Sequence, residues 1–288
     1  AIIAVIGLEL APVAANMAGL TGDNINMVNV AISMFTLAVG VIGSVAFRGF
    51  MSIIPILFGV VCGYVFAAIM GIVNFQPVID APWFQVPHFY APVFDINAIM
   101  IIAPAALVVL AEHIGHLVVT GNIVDRDLIK DPGLSRSLFA DGLSNVISGF
   151  AGATPNTTYG ENIGVMAITK VYSTWVIGGA AVMAIILSFC GKLSELIHSI
   201  PVPVMGGICI LLFGVIAASG IRVLVERQVD YSKSSNLVMT SVIMIIGLSG
   251  AKLSFGAFSV QGMVLATVVA IIMSLIFKLF ESLHLLNE

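Results

Sequence analysis

Two glutamates of this 288-residue chain lie inside apolar stretches, where the residue type itself suggests chemistry. A carboxylate near the centre of a bilayer costs several kcal/mol, so each such residue needs a functional or structural partner. Glu112 lies deep in PAALVVLAEHIGHLVV, and His116 follows four residues later, on the same face if the stretch is helical. The pair could share or relay a proton, or it could be a structural polar pair that satisfies itself between helices. His113 points about 100° away from Glu112, and we predict a structural role for it.

The second glutamate, Glu161, follows a stretch that is poorly suited to a helix. Pro155, Asn156, two β-branched threonines and Gly160 favour extended chain, and a helix can resume at Glu161. Non-helical backbone at membrane depth is tolerated only where it is buried in protein or lines a cavity, and the half-helix after it offers free N–H groups. Such a broken span is the best sequence indication of a transporter binding site. The alternative is that residues 154–160 form an interfacial loop.

Two carboxylates and a row of backbone N–H groups define the ligand that such a site would take. Carboxylates accept hydrogen bonds from N–H groups and backbone amides donate to carbonyl oxygens, so the predicted ligand is a planar, neutral molecule that carries both. Tyr159 would either form an aromatic wall of this site or only pack against its neighbours. Glu9 and Asp141 are two further acids of apolar stretches. Each could belong to a gating or proton network, or could cap a helix or snorkel.

The composition places these residues in a membrane protein. Hydrophobic residues make up 59% of the chain and charged residues 9%, against about 25% charged in an average soluble domain. Apolar stretches of the ~20 residues that span hydrocarbon recur along the whole length, which excludes a water-soluble fold and predicts an all-α polytopic bundle. Apolar windows and helix breakers predict ten segments, at about residues 1–18, 28–47, 52–73, 97–120, 138–153, 156–171, 174–191, 201–220, 235–250 and 260–280.

The basic residues are distributed unevenly between the loops. Alternating the loops between two sides puts nine lysines and arginines on one face and only Lys192 and Lys252 on the other. The positive-inside rule therefore assigns the first face to the cytoplasm. Residues 74–96, on the outer side, combine prolines with aromatic residues such as Trp83 and Tyr90, which is typical of an interfacial belt, although an ordinary loop explains them equally well.

The sequence lacks the motifs that would indicate several other classes of function. Cys62, Cys190 and Cys209 are scattered without metal-ligand spacing, and no basic run indicates nucleic acid. No nucleophile elbow or phosphate loop indicates an enzyme. We therefore expect no enzymatic activity, no metal and no cofactor, with protons as the coupling ion. The expected partners are a small-molecule substrate and the lipid bilayer, and a homodimer is left open.

Two groups of three segments suggest an internal repeat. Residues 1–73 and 201–280 each begin with a glycine-rich segment and have similar spacings, and four segments lie between them. An offset of seven spans is odd, so the groups would lie upside down relative to one another, as in inverted-repeat transporters. Symmetry then demands four further spans before Ala1. Because the chain opens inside an apolar run without a methionine, we expect it to be part of a longer polypeptide.

The run ENIGVMAITK, from Glu161 to Lys170, resembles the signature of the nucleobase–ascorbate transporter family. In that signature an acid or glutamine is followed by asparagine, glycine, threonine and a basic residue, here Asn162, Gly164, Thr169 and Lys170. The stretches LAEHIGHLVVTGNIV, DPGLSRSLFADGLSNVISGF and PVPVMGG are similar as well. The likeness covers nearly the whole chain and is strongest to the uracil-carrying, proton-coupled members of the family.

The resemblance implies a fourteen-span inverted repeat in a bacterial inner membrane. Such a protein has a core domain and a gate domain, and each repeat contains one span that is interrupted by a short β-strand. The implied parts are a first gate group at 1–73, a periplasmic connector at 74–96, the second-repeat core with the substrate site at 97–191, and a second gate group at 201–288.

The resemblance also implies roles for individual residues. Glu112 and Glu161 would bind uracil, the Gly160 amide would meet a carbonyl group of the substrate, and Tyr159 would line the pocket. His116 would assist Glu112 in proton coupling. The implied function is proton-coupled symport of uracil by alternating access.

One departure and two alternatives bear on the cargo. Phe213 stands where the resemblance implies a pocket tyrosine, which leaves the exact cargo open. A carrier of xanthine, urate or another nucleobase is the nearest alternative, although Glu161 in place of glutamine favours a pyrimidine by resemblance. An anion exchanger of similar architecture is a remoter alternative, because two glutamates repel anions.

Overall fold

Helices account for most of the backbone in the computed structural model, which describes residues 1–22, 25–103, 105–255, 258–283 and 285. The α-helices of these residues, in chain order, are α1 (Ile2–Glu9), α2 (Ala11–Met17), α3 (Met27–Ala46), α4 (Pro55–Ile69), α5 (Gln76–Asp80), α6 (Ile96–Ile102), α7 (Ala105–Val124), α8 (Leu134–Ala151), α9 (Gly160–Thr169), α10 (Thr174–Ser188), α11 (Gly191–His198), α12 (Val202–Glu226), α13 (Ser234–Leu248) and α14 (Gly262–Ser282). The same residues form a 3-10 turn at Gly49–Ile53, a π-helical turn at Ile129–Gly133, and two strands, β1 (Lys252–Phe255) and β2 (Phe258–Gln261).

Each of the ten predicted segments contains a helix. Three of these helices, α3, α12 and α14, are long and apolar enough to cross a bilayer, and the bent pair of α10 and α11 makes a fourth if it counts as one span. Others are shorter. The 15 residues of α4, for example, span about 22 Å, less than the roughly 30 Å of a hydrocarbon core. The prediction of a helical, polytopic chain is confirmed, whereas the break at Leu10 and the bend after α10 were not predicted.

Large apolar side chains point away from the protein along several helices. On α10, Trp175 is 86% exposed, Met183 64% and Ile186 64%. A soluble protein rarely exposes contiguous apolar surface of this extent, whereas the lipid-facing surface of a membrane protein is apolar. The distribution is that of a multi-pass membrane protein.

The chain forms two compact units, and the first comprises Ala1–Val13, Val93–Glu112 and Leu212–Glu288. Its core lies where α1 packs on α13 and α14, with Val5 and Ile243 buried there. The Val5 side chain sits so close to Gly247 that a Cβ at this glycine would collide with it, and small residues of this kind let membrane helices approach closely. Strands β1 and β2 pair antiparallel, with Leu253 opposite Val260, and this hairpin was not predicted.

The Glu9 side chain lies at the N-terminus of α14, within the same unit. Its Oε2 atom accepts a hydrogen bond from the Met263 N–H at 2.8 Å. Gly262, at φ +54°, lies so near that a Cβ there would collide with the carboxylate. The first N–H groups of a helix have no partner within the helix, and the helix dipole favours a negative charge beside them. Of the roles left open for Glu9, capping fits these contacts.

Replacing Glu9 by alanine removes this cap and is expected to lower the free energy of unfolding by about 1–2 kcal/mol. Glu9→Gln keeps an acceptor oxygen and loses only the charge, so it should cost roughly half as much or less. Thermal unfolding in detergent measures both variants. The control is Glu281→Gln, at an exposed glutamate near the end of α14. Capping by Glu9 would be contradicted if Glu9→Ala unfolded at the same temperature as this control.

The second unit comprises Ala14–Pro92 and His113–Leu211. In this unit α3 packs on α4, around a core that includes Ile32, Ala67 and Val204. The Thr36 hydroxyl donates to the Ile32 carbonyl at 2.8 Å and lies against Gly63, so the two helices approach closely at this point. The division of the chain into gate and core groups stays a prediction.

The connector after α4 is attached to the turn between α10 and α11. Lys192 donates hydrogen bonds to two carbonyl oxygens of α5, at 3.1 and 3.0 Å, and lies 5.5 Å from the centre of the Trp83 ring. The Phe84 ring stacks on Phe189 with 5.9 Å between their centres. Trp83 itself is 76% exposed, which suits an interfacial position.

Candidate functional site

Helix α7 carries both Glu112 and His116, four residues apart on one helix face. His113 is only 2% exposed, and its Nε2 atom lies 2.7 Å from the Ser137 hydroxyl of α8. Its Nδ1 atom is buried, with no hydrogen-bond partner among the residues that the structure describes. The contact with Ser137 joins α7 to α8, which agrees with the structural role predicted for His113.

His116 contacts the segment that precedes α9. Its Nδ1 atom lies 2.8 Å from the Thr158 hydroxyl. A Cβ added to Gly160 would lie 3.2 Å from its Nε2 atom, closer than ordinary van der Waals contact. The imidazole therefore lies against the first residue of α9, at a position where a side chain would crowd it.

The chain is not helical between α8 and α9, as predicted. Gly152 ends α8 at φ +76°, a left-handed conformation that glycine adopts without strain. Residues 153–159 are neither helix nor strand, and α9 begins at Gly160 after Tyr159, which has extended backbone angles. The Tyr159 side chain makes no capping hydrogen bond to this start, and the first N–H groups of an α-helix have no partner within the helix. They are the donors that the sequence predicted.

Helix α8 presents a polar face to this segment. Its half-buried residues between positions 141 and 150 are all polar and share one helix face: Asp141, Ser144, Asn145 and Ser148. The apolar side of the helix faces outward, where Ile147 is 61% and Phe150 64% exposed. A helix that is polar inside and apolar outside suits lipid on one side and a polar site on the other. The roles left open for Asp141 stay predictions.

Asn156 forms four hydrogen bonds with side chains of α8. Its backbone N–H donates to Oδ1 of Asn145 at 2.9 Å, and its carbonyl accepts from Nδ2 of Asn145 at 2.8 Å. Its side chain accepts from the Ser144 hydroxyl at 2.8 Å and donates to that of Ser148 at 2.9 Å. The resemblance implies a β-strand here, whose partner strand would lie in the four further spans expected before Ala1. In the described chain the partner of the Asn156 backbone is a side chain instead.

The predicted binding residues lie on α7 and at the start of α9. Glu112 is half-buried on α7, and Tyr159 is 61% exposed directly before α9. Glu161 is the second residue of α9, and its side chain lies outside the described part of the structure. The roles of these three residues and of Gly160 in binding, and of Glu112 and His116 in proton coupling, stay predictions.

The family motif includes the end of α9. The Thr169 hydroxyl donates to the Val165 carbonyl at 2.8 Å, and Lys170 ends the helix in a left-handed conformation at φ +56°. Asn162 is exposed in the first turn, and Gly164 lies within the helix. The spacing of the motif thus matches the length of one short helix.

The sequence did not predict the contacts of three residues of this cluster: Asn145, Asn156 and Thr158. The signal for the first was the run of polar residues on one face of α8, spaced three and four apart. Two cavities of about 470 and 510 Å³ lie elsewhere, and neither is lined by His116 or Gly160. The described residues contain no group of three or more histidine, cysteine or acidic side chains placed to hold a metal ion.

Comparison with known proteins identifies the family. Residues 1–255 match the model of a permease family, Xan_ur_permease. The uracil permease of Escherichia coli is 64% identical over 287 residues, which are 99% of this chain and 67% of that protein. The uracil permease of Paenibacillus larvae is 60% identical over 294 residues, covering 100% of this chain and 70% of that protein. That of Bacillus subtilis is 47% identical over 288 residues, covering 96% and 66%.

These matches agree with the signature at the start of α9 and with the helical, lipid-exposed architecture. The family model covers well over half of the chain, and the relatives are similar along nearly all of it. The chain belongs to this permease family.

Proposed function

We propose that this chain serves, within the complete gene product, in the proton-coupled symport of uracil across a bacterial inner membrane. The observation that carries the proposal is the identity of 64%, 60% and 47% to three proteins named uracil permease, along 96–100% of the chain. The permease family supports transport, and the names of the relatives support uracil as the cargo. No cofactor other than the coupling proton is required, and a second copy of the chain is the one protein partner left open.

Uracil has the groups that the predicted binding residues would recognise. It is planar and neutral, and its ring alternates two N–H donors with two carbonyl acceptors. The start of α9 supplies backbone N–H donors for a carbonyl oxygen, beginning at Gly160. Glu112 and Glu161 are the proposed acceptors for the ring N–H groups, as the sequence predicts. Tyr159, next to the same helix start, is the proposed aromatic wall.

The proposed proton site is Glu112, with His116 one helical turn away. A proton on Glu112 removes a charge that is costly to carry through the bilayer. The loaded, neutral carrier can then change its direction of access, whereas the empty, charged carrier is hindered, and this difference couples uracil to protons. The Nδ1 atom of the His116 ring lies 2.8 Å from the Thr158 hydroxyl, and this contact fixes the orientation of the ring beside the proposed proton site.

Uptake of labelled uracil by cells that express the complete gene product tests the function. We expect uptake that rises as the external pH falls, that stops when a protonophore collapses the gradient, and that unlabelled uracil suppresses more strongly than xanthine or urate does. Cells with the empty vector provide the baseline. Suppression by xanthine at concentrations as low as those of uracil would overturn uracil as the preferred cargo, and uptake that ignores the protonophore would overturn the coupling.

A further inference from the structure

The side chain of Asn145 pairs with the backbone of Asn156 in the manner of a neighbouring strand. The Asn156 N–H donates to Oδ1 at 2.9 Å, and the Asn156 carbonyl accepts from Nδ2 at 2.8 Å. Two residues of an antiparallel sheet exchange the same pair of bonds. One carboxamide on α8 therefore does for this unpaired stretch what a β-bridge does in a sheet.

The carboxamide of Asn145 is itself fixed in orientation. Its Nδ2 atom has two hydrogens, and the second is donated to the Asp141 carbonyl one turn earlier, at 3.0 Å. Because a backbone N–H needs an acceptor and a carbonyl needs a donor, only one orientation of the amide satisfies all three bonds. Asn145 is thus held by its own helix while it holds the segment.

The contacts of the Asn156 side chain are separate from those of its backbone. Its Nδ2 atom donates to the Ser148 hydroxyl at 2.9 Å, and its Oδ1 atom accepts from the Ser144 hydroxyl at 2.8 Å. Ser144 also lies 2.7 Å from the Asp141 carbonyl, so its single hydroxyl proton serves two acceptors. Backbone and side chain of Asn156 therefore depend on different residues of α8, which makes their effects separable.

The two hydrogen bonds between the Asn145 side chain and the Asn156 backbone, here called the clamp, lie close in sequence to the predicted donors for the substrate. Asn156 precedes Thr158, the partner of His116, by two residues, and precedes Gly160, the first residue of α9, by four. Backbone outside helix and sheet has no ladder bonds, so its position depends on the few groups that bind it. Among the described residues, side chains of α8 hold the segment at Asn156, and His116 of α7 contacts it at Thr158, shortly before α9 begins.

We propose that Asn145 is a positioning residue for substrate binding. It does not touch the substrate; it holds the segment 153–159 so that the free N–H groups of α9 meet a substrate carbonyl. The inference rests on the proposed function for the identity of the ligand. Its specific content is that one side chain of α8 acts on binding through the backbone of Asn156.

Asn145→Ala removes both bonds to the Asn156 backbone and is expected to raise the KM for uracil about tenfold. The maximal rate, normalised to the amount of protein in the membrane, should change less than about twofold, because correctly folded carriers still cycle once loaded. A residue with a merely structural role would lower the maximal rate and leave KM unchanged. Uptake kinetics of the complete gene product separate the two, and an unchanged KM overturns the proposal.

Asn145→Asp makes the pairing testable through the pH dependence of uracil affinity. The carboxylate form offers no donor to the Asn156 carbonyl and repels it, whereas the protonated form again offers one donor and one acceptor. Uracil binding to the purified protein is expected to be weaker than in the parent at neutral pH, and the ratio of the two affinities should approach one as the pH falls. A ratio that stays constant with pH would contradict the pairing.

A double-variant comparison tests the separation of backbone and side-chain contacts. The Ser148 hydroxyl contacts the side chain of Asn156 and not its backbone, so Ser148→Ala should have no further effect on uracil affinity in an Asn156→Ala background. Asn145 binds the backbone, so Asn145→Ala should keep its full effect in that background. The reverse pattern, with Asn145 silent and Ser148 effective, would overturn the assignment.

Hydrogen exchange makes the test independent of substrate. The Asn156 amide should exchange at least about tenfold faster in Asn145→Ala than in the parent, since its acceptor is lost. Faster exchange with unchanged uracil KM would reject the positioning role while leaving the clamp intact. If the parent protein showed no uracil uptake, the proposed function would fail, and unchanged exchange would still show separately that the clamp is wrong. Should Asn145→Ala not accumulate in membranes, Asn145→Asp carries the same comparison.

Discussion

Complete loss of uracil accumulation against a gradient is the expected result of replacing Glu112 by glutamine. Glutamine keeps the shape of the side chain and one acceptor oxygen, so uracil binding should survive, weakened by no more than about tenfold. It cannot take up and release a proton, however. The carrier is then neutral whether loaded or empty, and it can change access in both states. Uracil should therefore run only down its own gradient.

The size of the effect follows from the electrical work of one proton. A potential of 100 mV supplies about 2.3 kcal/mol for each charge that crosses the membrane, which corresponds to roughly 50-fold accumulation. In energised vesicles that contain the complete gene product, the ratio of internal to external labelled uracil should fall from that range to about one in Glu112→Gln. Counterflow of labelled against unlabelled uracil should persist, because it needs binding and reorientation but no proton.

The control for this experiment makes the same chemical change elsewhere. Glu281→Gln replaces an exposed glutamate near the end of α14 and should leave the accumulation ratio unchanged. The coupling role of Glu112 would be wrong if Glu112→Gln still accumulated uracil with the same dependence on external pH. If counterflow also disappeared while the protein remained in the membrane, Glu112 would be a binding residue without a demonstrated part in coupling.

The helices and the break between α8 and α9 were predictable because both depend on local properties. Each of the ten segments predicted from apolar runs and breakers contains a helix, and Pro155 with the following threonines indicated where helix stops. The break at Leu10 was not predictable in the same way. The residues of AIIAVIGLELAPVAANM are apolar except for Glu9 and Asn16, and the local sign of a break is Pro12, two residues after Leu10.

The contacts that hold the site were not predictable, because they join residues that are distant along the chain or lie on different helices. Asn145 and Asn156 are eleven residues apart, and they meet only because Gly152 turns the chain back beside α8. The sequence does carry the polar face of α8, but it does not say which backbone group that face binds. Residues 153–159 form no strand in the described chain, where the Asn145 carboxamide pairs with the Asn156 backbone. The resemblance places the partner strand in the four spans expected before Ala1, so the implied strand stays a prediction.

The hairpin of β1 and β2 was missed for a different reason. Its register puts Phe255 opposite Phe258, and the two residues between them in the sequence are a Gly–Ala pair, which is a known signal for a two-residue hairpin loop. In a chain that is otherwise apolar and helical, the nine residues 251–259 between two predicted spans were interpreted only as a loop. Turn signals therefore deserve the same weight in loops of membrane proteins as in soluble ones.

Gly160→Val is expected to reduce uracil affinity at least about a hundredfold. A Cβ at this position would already lie 3.2 Å from Nε2 of His116, and valine adds two methyl groups beyond it. The imidazole is bonded to Thr158 on its other side, so it cannot move away without losing that bond. Either the ring or the start of α9 must shift, and both carry predicted functions. Gly160→Ala, with a single methyl group, should cost about tenfold.

A matched control shows whether the effect of the added carbon atom is specific to position 160. A Cβ at Gly142, inside α8, would meet nothing within 4 Å, so Gly142→Ala should leave uracil affinity unchanged and raise helix stability by up to about 1 kcal/mol. Isothermal titration of purified protein measures the affinities, and thermal unfolding the stability. Equal losses of affinity in Gly142→Ala and Gly160→Ala would show that neither effect comes from the site.

The cause of the loss at Gly160 can be assigned with His116→Ala as a background. If crowding of the imidazole is the cause, removing the ring removes the crowding, and Gly160→Ala should then cost less than about twofold. If the methyl group instead blocks the substrate from the α9 amides, the full tenfold cost should persist without the ring. We expect the first outcome, because the Cβ would lie 3.2 Å from Nε2 of His116, closer than ordinary van der Waals contact. Persistence of the full cost would show that the added methyl group acts on the bound substrate and not on the imidazole.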